Sequence, residues 1–200
     1  MKQYLVEIIG VFFLTLAIAL TNPTAIGFML MALVYIGAHV SGAHYNPAIS
    51  VAAYINDELK FDEMLKYISA QIFGALLGAY LFKMHSGSIF MLDMPEEASM
   101  GSAILLEALL TGLFCWAVLT ATLSSSLKST HLSGVVAGVT LAAIVSIGGI
   151  FNPAVAFGGL LCSIFQGAGM MSRNGILVYL VAPFAGAILA GYAHPYFNKK

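Results

Sequence analysis

Ser41-Gly-Ala-His-Tyr-Asn-Pro-Ala-Ile49 and Gly148-Gly-Ile-Phe-Asn-Pro-Ala-Val155 are the two stretches that decide how this chain folds. Each sets an Asn at a helix N-cap, a Pro at the first helical position and small apolar residues after it: Asn46, Pro47 and Ala48 in one, Asn152, Pro153 and Ala154 in the other. That is a strong local recipe for starting a helix. Both helices nevertheless start inside hydrophobic runs. The N–H groups of a first turn have no partners within the helix, and hydrocarbon cannot supply any, so both starts must be buried in protein or line a wet cavity.

The composition around them fixes the setting. Of the residues, 60% are hydrophobic and 8% charged, and the mean hydropathy is +0.93, which makes this an integral membrane protein with the lipid bilayer as its surroundings. A net charge of -1 without a basic run argues against nucleic acid as a partner. Cys115 and Cys162 sit in apolar surroundings without metal-like spacing, and His39, His44, His85, His131 and His194 form no ligand or triad spacing. No metal, no cofactor and no enzymatic activity are therefore expected. Lys2 precedes an apolar run as in a signal peptide, but Glu7 interrupts it and Thr21-Asn-Pro-Thr24 follows where small residues would be needed, so an uncleaved first span is expected.

Outward from the boxes, the pattern predicts an all-α protein with six transmembrane helices, near residues 4 to 20, 25 to 42, 64 to 83, 102 to 122, 132 to 149 and 175 to 193. Two re-entrant half-helices, Asn46 to Ile55 and Asn152 to Ile164, lie between spans two and three and between spans five and six. Ten helical residues rise about 15 Å, half a membrane, so two such segments entering from opposite faces can meet at the midplane. The longest connector carries Asp93, Glu96 and Glu97. Lys2, Lys60, Lys66, Lys128, Lys199 and Lys200 fall on one side, Lys83 and Arg173 on the other, which places both termini in the cytoplasm.

The chain also repeats itself. Glu7 and Glu107 stand early in spans one and four, Asn46 and Asn152 open the half-helices, and Ala70-Gln-Ile-Phe-Gly-Ala-Leu-Leu-Gly-Ala-Tyr80 echoes Ala182-Pro-Phe-Ala-Gly-Ala-Ile-Leu-Ala-Gly-Tyr192. Three spans per half is an odd number, so the second half is inverted relative to the first, with a site expected where the broken helices meet. One channel domain over residues 1–200 is expected, divided into repeats 1–84 and 102–200 with 85–101 joining them. Gly74 with Gly78, and Ala187 with Gly191, suit close helix crossings.

With these features together, the chain resembles the major intrinsic protein family, the aquaporins and aquaglyceroporins, over essentially its whole length. The resemblance implies a passive channel for water and small neutral solutes such as glycerol, assembled as a homotetramer, with the plasma membrane as the expected location. It implies that Asn46 and Asn152 cap the half-helices and offer amide N–H groups to a passing oxygen. Carbonyls of Gly42, Ala43, His44 and Tyr45, and of Gly148, Gly149, Ile150 and Phe151, would form a ladder of acceptors. Glu7 and Glu107 would brace the loops as buried acids, which are costly in a membrane without partners. His44 is expected to brace its own loop, with gating by protonation as the alternative. Carried over by spacing, the selectivity filter would be Ile26, Thr140, Gly149 and Val155. Most members place Arg where Val155 stands, and aquaglyceroporins usually follow it with Asp where Ala156 stands, so this filter is expected to be wide and uncharged. A secondary transporter with broken helices, or a structural or adhesion protein on a degenerate channel fold, are the alternatives from other classes.

Overall fold

The computed structural model describes residues 1–92, 94, 99–124, 126–127 and 130–198. Asp93, Glu96 and Glu97 of the long connector, and Lys128, Lys199 and Lys200 of the charge pattern, lie outside the described residues. In chain order the helices are α1 (Lys2–Leu20), α2 (Pro23–Ser41), α3 (Pro47–Ile55), α4 (Phe61–Ser86), α5 (Met100–Leu123), α6 (Ser133–Ile147), α7 (Pro153–Phe165) and α8 (Arg173–Asn198). There is no strand among the described residues. Spans α1, α2, α4, α5, α6 and α8 surround the half-helices α3 and α7, as the hydropathy pattern predicts.

Asn-Pro is the chain's starting signal three times over. Asn22 accepts from the N–H of Ala25 at 3.1 Å, Asn46 from Ala48 at 2.9 Å and Asn152 from Ala154 at 3.1 Å, each followed by Pro at the first helical position. The oxygen cap and the proline, which has no N–H to satisfy, together remove orphan donors from the first turn.

Two spans depart from their predicted outlines, each for a local reason. The span expected over 132 to 149 stops at Ile147 and is 15 residues long, a rise of about 22 Å. Gly148 and Gly149 then take φ of 119° and 121° and leave the helix toward the second box. The last span contains one π-helical turn at Leu177–Val181. Pro183 stands two residues beyond it, and a proline ring within a helix collides with the carbonyl four residues back, here that of Tyr179; a wider turn takes up that misfit.

The duplication shows in who packs on whom. Span α1 packs on α4 and α5 on α8; α2 crosses α6; α3 lies against α8 and α7 against α4. Each half-helix thus rests on the third span of the opposite half. The first close crossing is at Gly74, where a Cβ would stand 2.3 Å from the carbonyl oxygen of Ile8. Its counterpart is Gly186, where a Cβ would stand 2.0 Å from the carbonyl oxygen of Ala108. The expected pair in the second half was Ala187 with Gly191; Gly191 instead faces Ile55 of α3, and Gly186 makes the backbone contact. The half-helix ends are tied down in parallel ways. Asn56 donates to the carbonyl of Gly191 at 2.9 Å and pairs with His194 Nδ1 at 2.9 Å, while Gln166 accepts from Lys83 on α4.

Polarity is distributed inside out. Leu5, Phe28, Ile36, Leu105, Leu109 and Leu189 are exposed, whereas Glu7, Asn46, Gln71, Glu107 and Asn152 are buried. Apolar residues outside and hydrogen-bonded polar residues inside are what a bilayer solvent selects.

Candidate functional site

The two boxes meet N-terminus to N-terminus. The side-chain amide of Asn46 donates to the carbonyl oxygen of Phe151 at 2.7 Å, and that of Asn152 donates to the carbonyl oxygen of Tyr45 at 2.9 Å. A carboxamide has two N–H groups, so each Asn caps its helix with oxygen, ties the opposite loop with one N–H and keeps the other. Tyr45 and Phe151 both have left-handed backbone, with φ of 51° and 56°. Holding bulky residues there is costly. The reciprocal bonds, together with the acids behind the loops, offset that cost.

Glu7 and Glu107 are those acids. Glu7 Oε1 accepts from the hydroxyl of Ser41 at 2.7 Å and the N–H of His44 at 3.0 Å; Oε2 accepts from the N–H of Tyr45 at 2.6 Å and the amide of Gln71 at 2.8 Å. Glu107 accepts from the N–H of Phe151 at 2.6 Å and, more weakly, from that of Ile150 at 3.3 Å. The repeat therefore keeps the backbone contacts and drops the side-chain partners, because Pro183 stands where the duplication would place a second Gln. Gln71 also donates to Ser50 Oγ at 3.0 Å, and Ser50 shares a hydrogen bond of 3.1 Å with His44 Nδ1. The His44 ring packs against Tyr67 with centroids 5.1 Å apart. His44 is thus held on one edge by the same network that holds its loop.

Of the four filter positions, Ile26 and Val155 are buried, while Thr140 and Gly149 are half-buried. Gly149 has a reason of its own to lack a side chain. A Cβ there would stand 2.4 Å from Glu107 Oε2 and 2.5 Å from Phe151 Cζ, at a φ that L side chains rarely adopt.

Cavities follow α5 like marks on a ruler. At its start, Ser102 and Glu107 border a cavity of ≈ 340 Å³ with Gly148 and Gly149. Phe114 borders a chamber of ≈ 10 Å³ at the boxes and a second of ≈ 20 Å³, and Val118 and Thr122 border a vestibule of ≈ 340 Å³ that also reaches Glu58. From Ser102 to Thr122 the helix rises about 30 Å, the thickness of a hydrocarbon core. The chamber at the boxes has two unlike kinds of lining: the polar side chains of Asn46, Asn152 and His44, and a greasy wall that includes Leu14, Leu30, Phe114 and Leu141. A water-sized solute there can exchange hydration for amide and carbonyl contacts while the greasy wall offers no competing partner. Among the described residues, no group of three His, Cys, Asp or Glu side chains is gathered as a metal ion would require.

Sequence reading missed the greasy wall. Leu14 and Phe114 each stand seven residues after a buried glutamate, two helical turns further on the same face. That shared offset was the available signal.

A family model described as "Major intrinsic protein" matches residues 14–194. The "Glycerol uptake facilitator protein-like 6" of Lactiplantibacillus plantarum is 33% identical, across 96% of this chain and 96% of that protein. The "Aquaglyceroporin" of Toxoplasma gondii is 29% identical, across 88% of this chain and 69% of that protein. In fold, the chain is similar to the solved aquaglyceroporin from Plasmodium falciparum, with a TM-score of 0.82 and 21% identity over 99% of this chain and 95% of that one.

Proposed function

This chain belongs to the major intrinsic protein family, and from that premise we propose that it is a passive membrane channel for water and small uncharged solutes such as glycerol, excluding ions and protons. It is a channel and not an enzyme. The observation that carries the proposal is the reciprocal pair of ties, Asn46 to the Phe151 carbonyl and Asn152 to the Tyr45 carbonyl, which sets two helix N-termini face to face beside a chamber of water size. The remaining N–H of each Asn is the donor to the passing oxygen. A water that accepts from both amides has spent its lone pairs, and its own hydrogens point away along the file in both directions, which breaks a proton relay.

Charge exclusion follows from the same geometry. Each helix N-terminus carries about half a positive charge, so two together approximate one. At about 6 Å and an effective dielectric of roughly 20 this repels a monovalent cation by about 3 kcal/mol, before dehydration is counted. Ile26, Thr140, Gly149 and Val155 then form an uncharged outer filter, and backbone carbonyls of Gly42 to Tyr45 and Gly148 to Phe151 form the acceptor ladder, those of Tyr45 and Phe151 also receiving the Asn amides. Glu7 and Glu107 are braces. The working unit is one domain of two repeats, 1–84 and 102–200, joined by 85–101, in a homotetramer with one pore per subunit. Both termini face the cytoplasm, so the vestibule at Glu58 opens inward, and the plasma membrane is the proposed site.

Stopped-flow light scattering of proteoliposomes in water, glycerol and urea gradients, with ionic current recorded in planar bilayers, tests this. Water passage well above that of empty vesicles with no cation current is expected. Substantial cation current through the unmodified protein would overturn it.

A further inference from the structure

We propose that size selection in this channel is exercised at the midplane, by a neck of Leu30, His44 and Phe114 in which Phe114 sets the width. The solutes favoured are then water-sized neutral molecules in single file, with three-carbon polyols retarded. This rests on the channel function proposed above and narrows its substrate class.

The location comes from shared walls. The chamber of ≈ 10 Å³ at the boxes and the next one of ≈ 20 Å³ have Leu30, His44 and Phe114 in common and no other bordering residue. Residues that border two adjoining chambers form the partition between them. The next step outward is different: the chamber of ≈ 20 Å³ shares Gly42, His44, Ile49, Val118 and Thr122 with the ≈ 340 Å³ vestibule, so the file widens steeply toward Glu58. A volume near 10 Å³ holds about one water, and a polyol of three carbons must push the partition aside to pass.

The three members differ in what they can yield. His44 is held by Ser50 at 3.1 Å and by the tilted ring of Tyr67, and its orientation is tied to the loop that presents Asn46. Leu30 and Phe114 are buried on helices at 3% and 4% exposure. Phe114 is the bulkiest of the three and stands on the greasy side, where its removal leaves no hydrogen bond unmade. The pseudo-symmetric position on α1 is Leu14, which lines the same chamber; the duplication therefore places a smaller residue at one of two equivalent sites, and the aromatic ring is the feature that makes the neck. The four outer-filter positions carry no ring, and Gly149 contributes no side chain.

The test is the ratio of glycerol to water permeability in proteoliposomes carrying the unmodified protein, Phe114→Ala, Phe114→Leu and Ile26→Ala. Phe114→Ala should raise the ratio by about tenfold or more, the order of discrimination that hydrocarbon bulk gives in an apolar pocket. Phe114→Leu, which copies Leu14, should raise it by less and carries the test if the Ala form fails to insert. An unchanged ratio in a water-conducting Phe114 variant, or an equal rise in Ile26→Ala, would overturn the neck. Water passage no faster than in empty vesicles for the unmodified protein would instead overturn the channel function itself, and the neck with it.

Discussion

The amide nitrogen of Asn46 reaches the carbonyl oxygen of Phe151 at 2.7 Å, across a sequence separation of 105 residues. One side chain thereby caps its own helix, anchors the opposite loop and keeps a donor in reserve. Replacement by Asp separates these jobs, because a carboxylate still caps but cannot donate.

Asn46→Asp should therefore lose the tie to Phe151 and set a carboxylate against that carbonyl, costing about 1–3 kcal/mol. It also adds a negative charge where the helix ends supply about one positive one. A lower thermal midpoint in detergent is expected, together with a cation current absent from the unmodified protein. A variant that stays ion-tight would show that the helix ends do not control charge selection.

The two acids should not be equivalent. Removing Glu7 orphans two backbone N–H groups, the Ser41 hydroxyl and one N–H of the Gln71 amide, whereas removing Glu107 orphans only the N–H groups of Phe151 and Ile150. At about 1–3 kcal/mol for each buried donor left unpaired, Glu7→Ala should reduce monodisperse yield and thermal midpoint well beyond Glu107→Ala. Equal losses would mean that Gln71 and Ser41 find other partners.

Gly149→Ala tests why the filter has a gap. With a Cβ 2.4 Å from Glu107 Oε2, the substitution should displace the carboxylate from the N–H of Phe151 and destabilise the protein by about 1–3 kcal/mol, detected by thermal unfolding in detergent. A normally stable variant with slower glycerol flux would assign the missing side chain to solute size instead.

Tyr45 fills a slot between α1 and α2. A Cβ on Gly10 would come within 2.0 Å of its ring carbon Cε1, and its hydroxyl donates to the carbonyl of Leu33 at 3.0 Å. Because the Tyr45 carbonyl holds Asn152, Gly10→Ala should lower water permeability as well as stability, by about 1–3 kcal/mol from overpacking. Adding Tyr45→Ala should restore part of the thermal midpoint.

How much of this was legible in the sequence follows from which forces are local. The helix starts at Asn46 and Asn152 were, because cap and proline act within three residues. The half-helices and inverted pairing were, because hydropathy and span parity determine them. The early end of α6 was not, since Gly148 and Gly149 read as tolerable in an apolar run until the loop they serve is known. The π turn before Pro183 was missed because hydropathy does not register a backbone misfit. Phe114 was missed for another reason: in a membrane helix both lipid-facing and pore-facing positions are apolar, so periodicity does not single out the file. The use of the Asn amides on opposite loops depends on a partner more than a hundred residues away.

The exchange of partners between halves also sets a schedule for biosynthesis. Helix α3 rests on α8, and Asn56 bonds to the carbonyl of Gly191, 135 residues later. At ribosomal rates of about 5 to 20 residues per second, the first half-helix waits roughly seven to thirty seconds before the surface that covers it has been made. During that interval its apolar flank and the first box must be tolerated inside the insertion machinery or the bilayer without their final neighbours. The membrane pore closes around its own midplane only when the last span arrives.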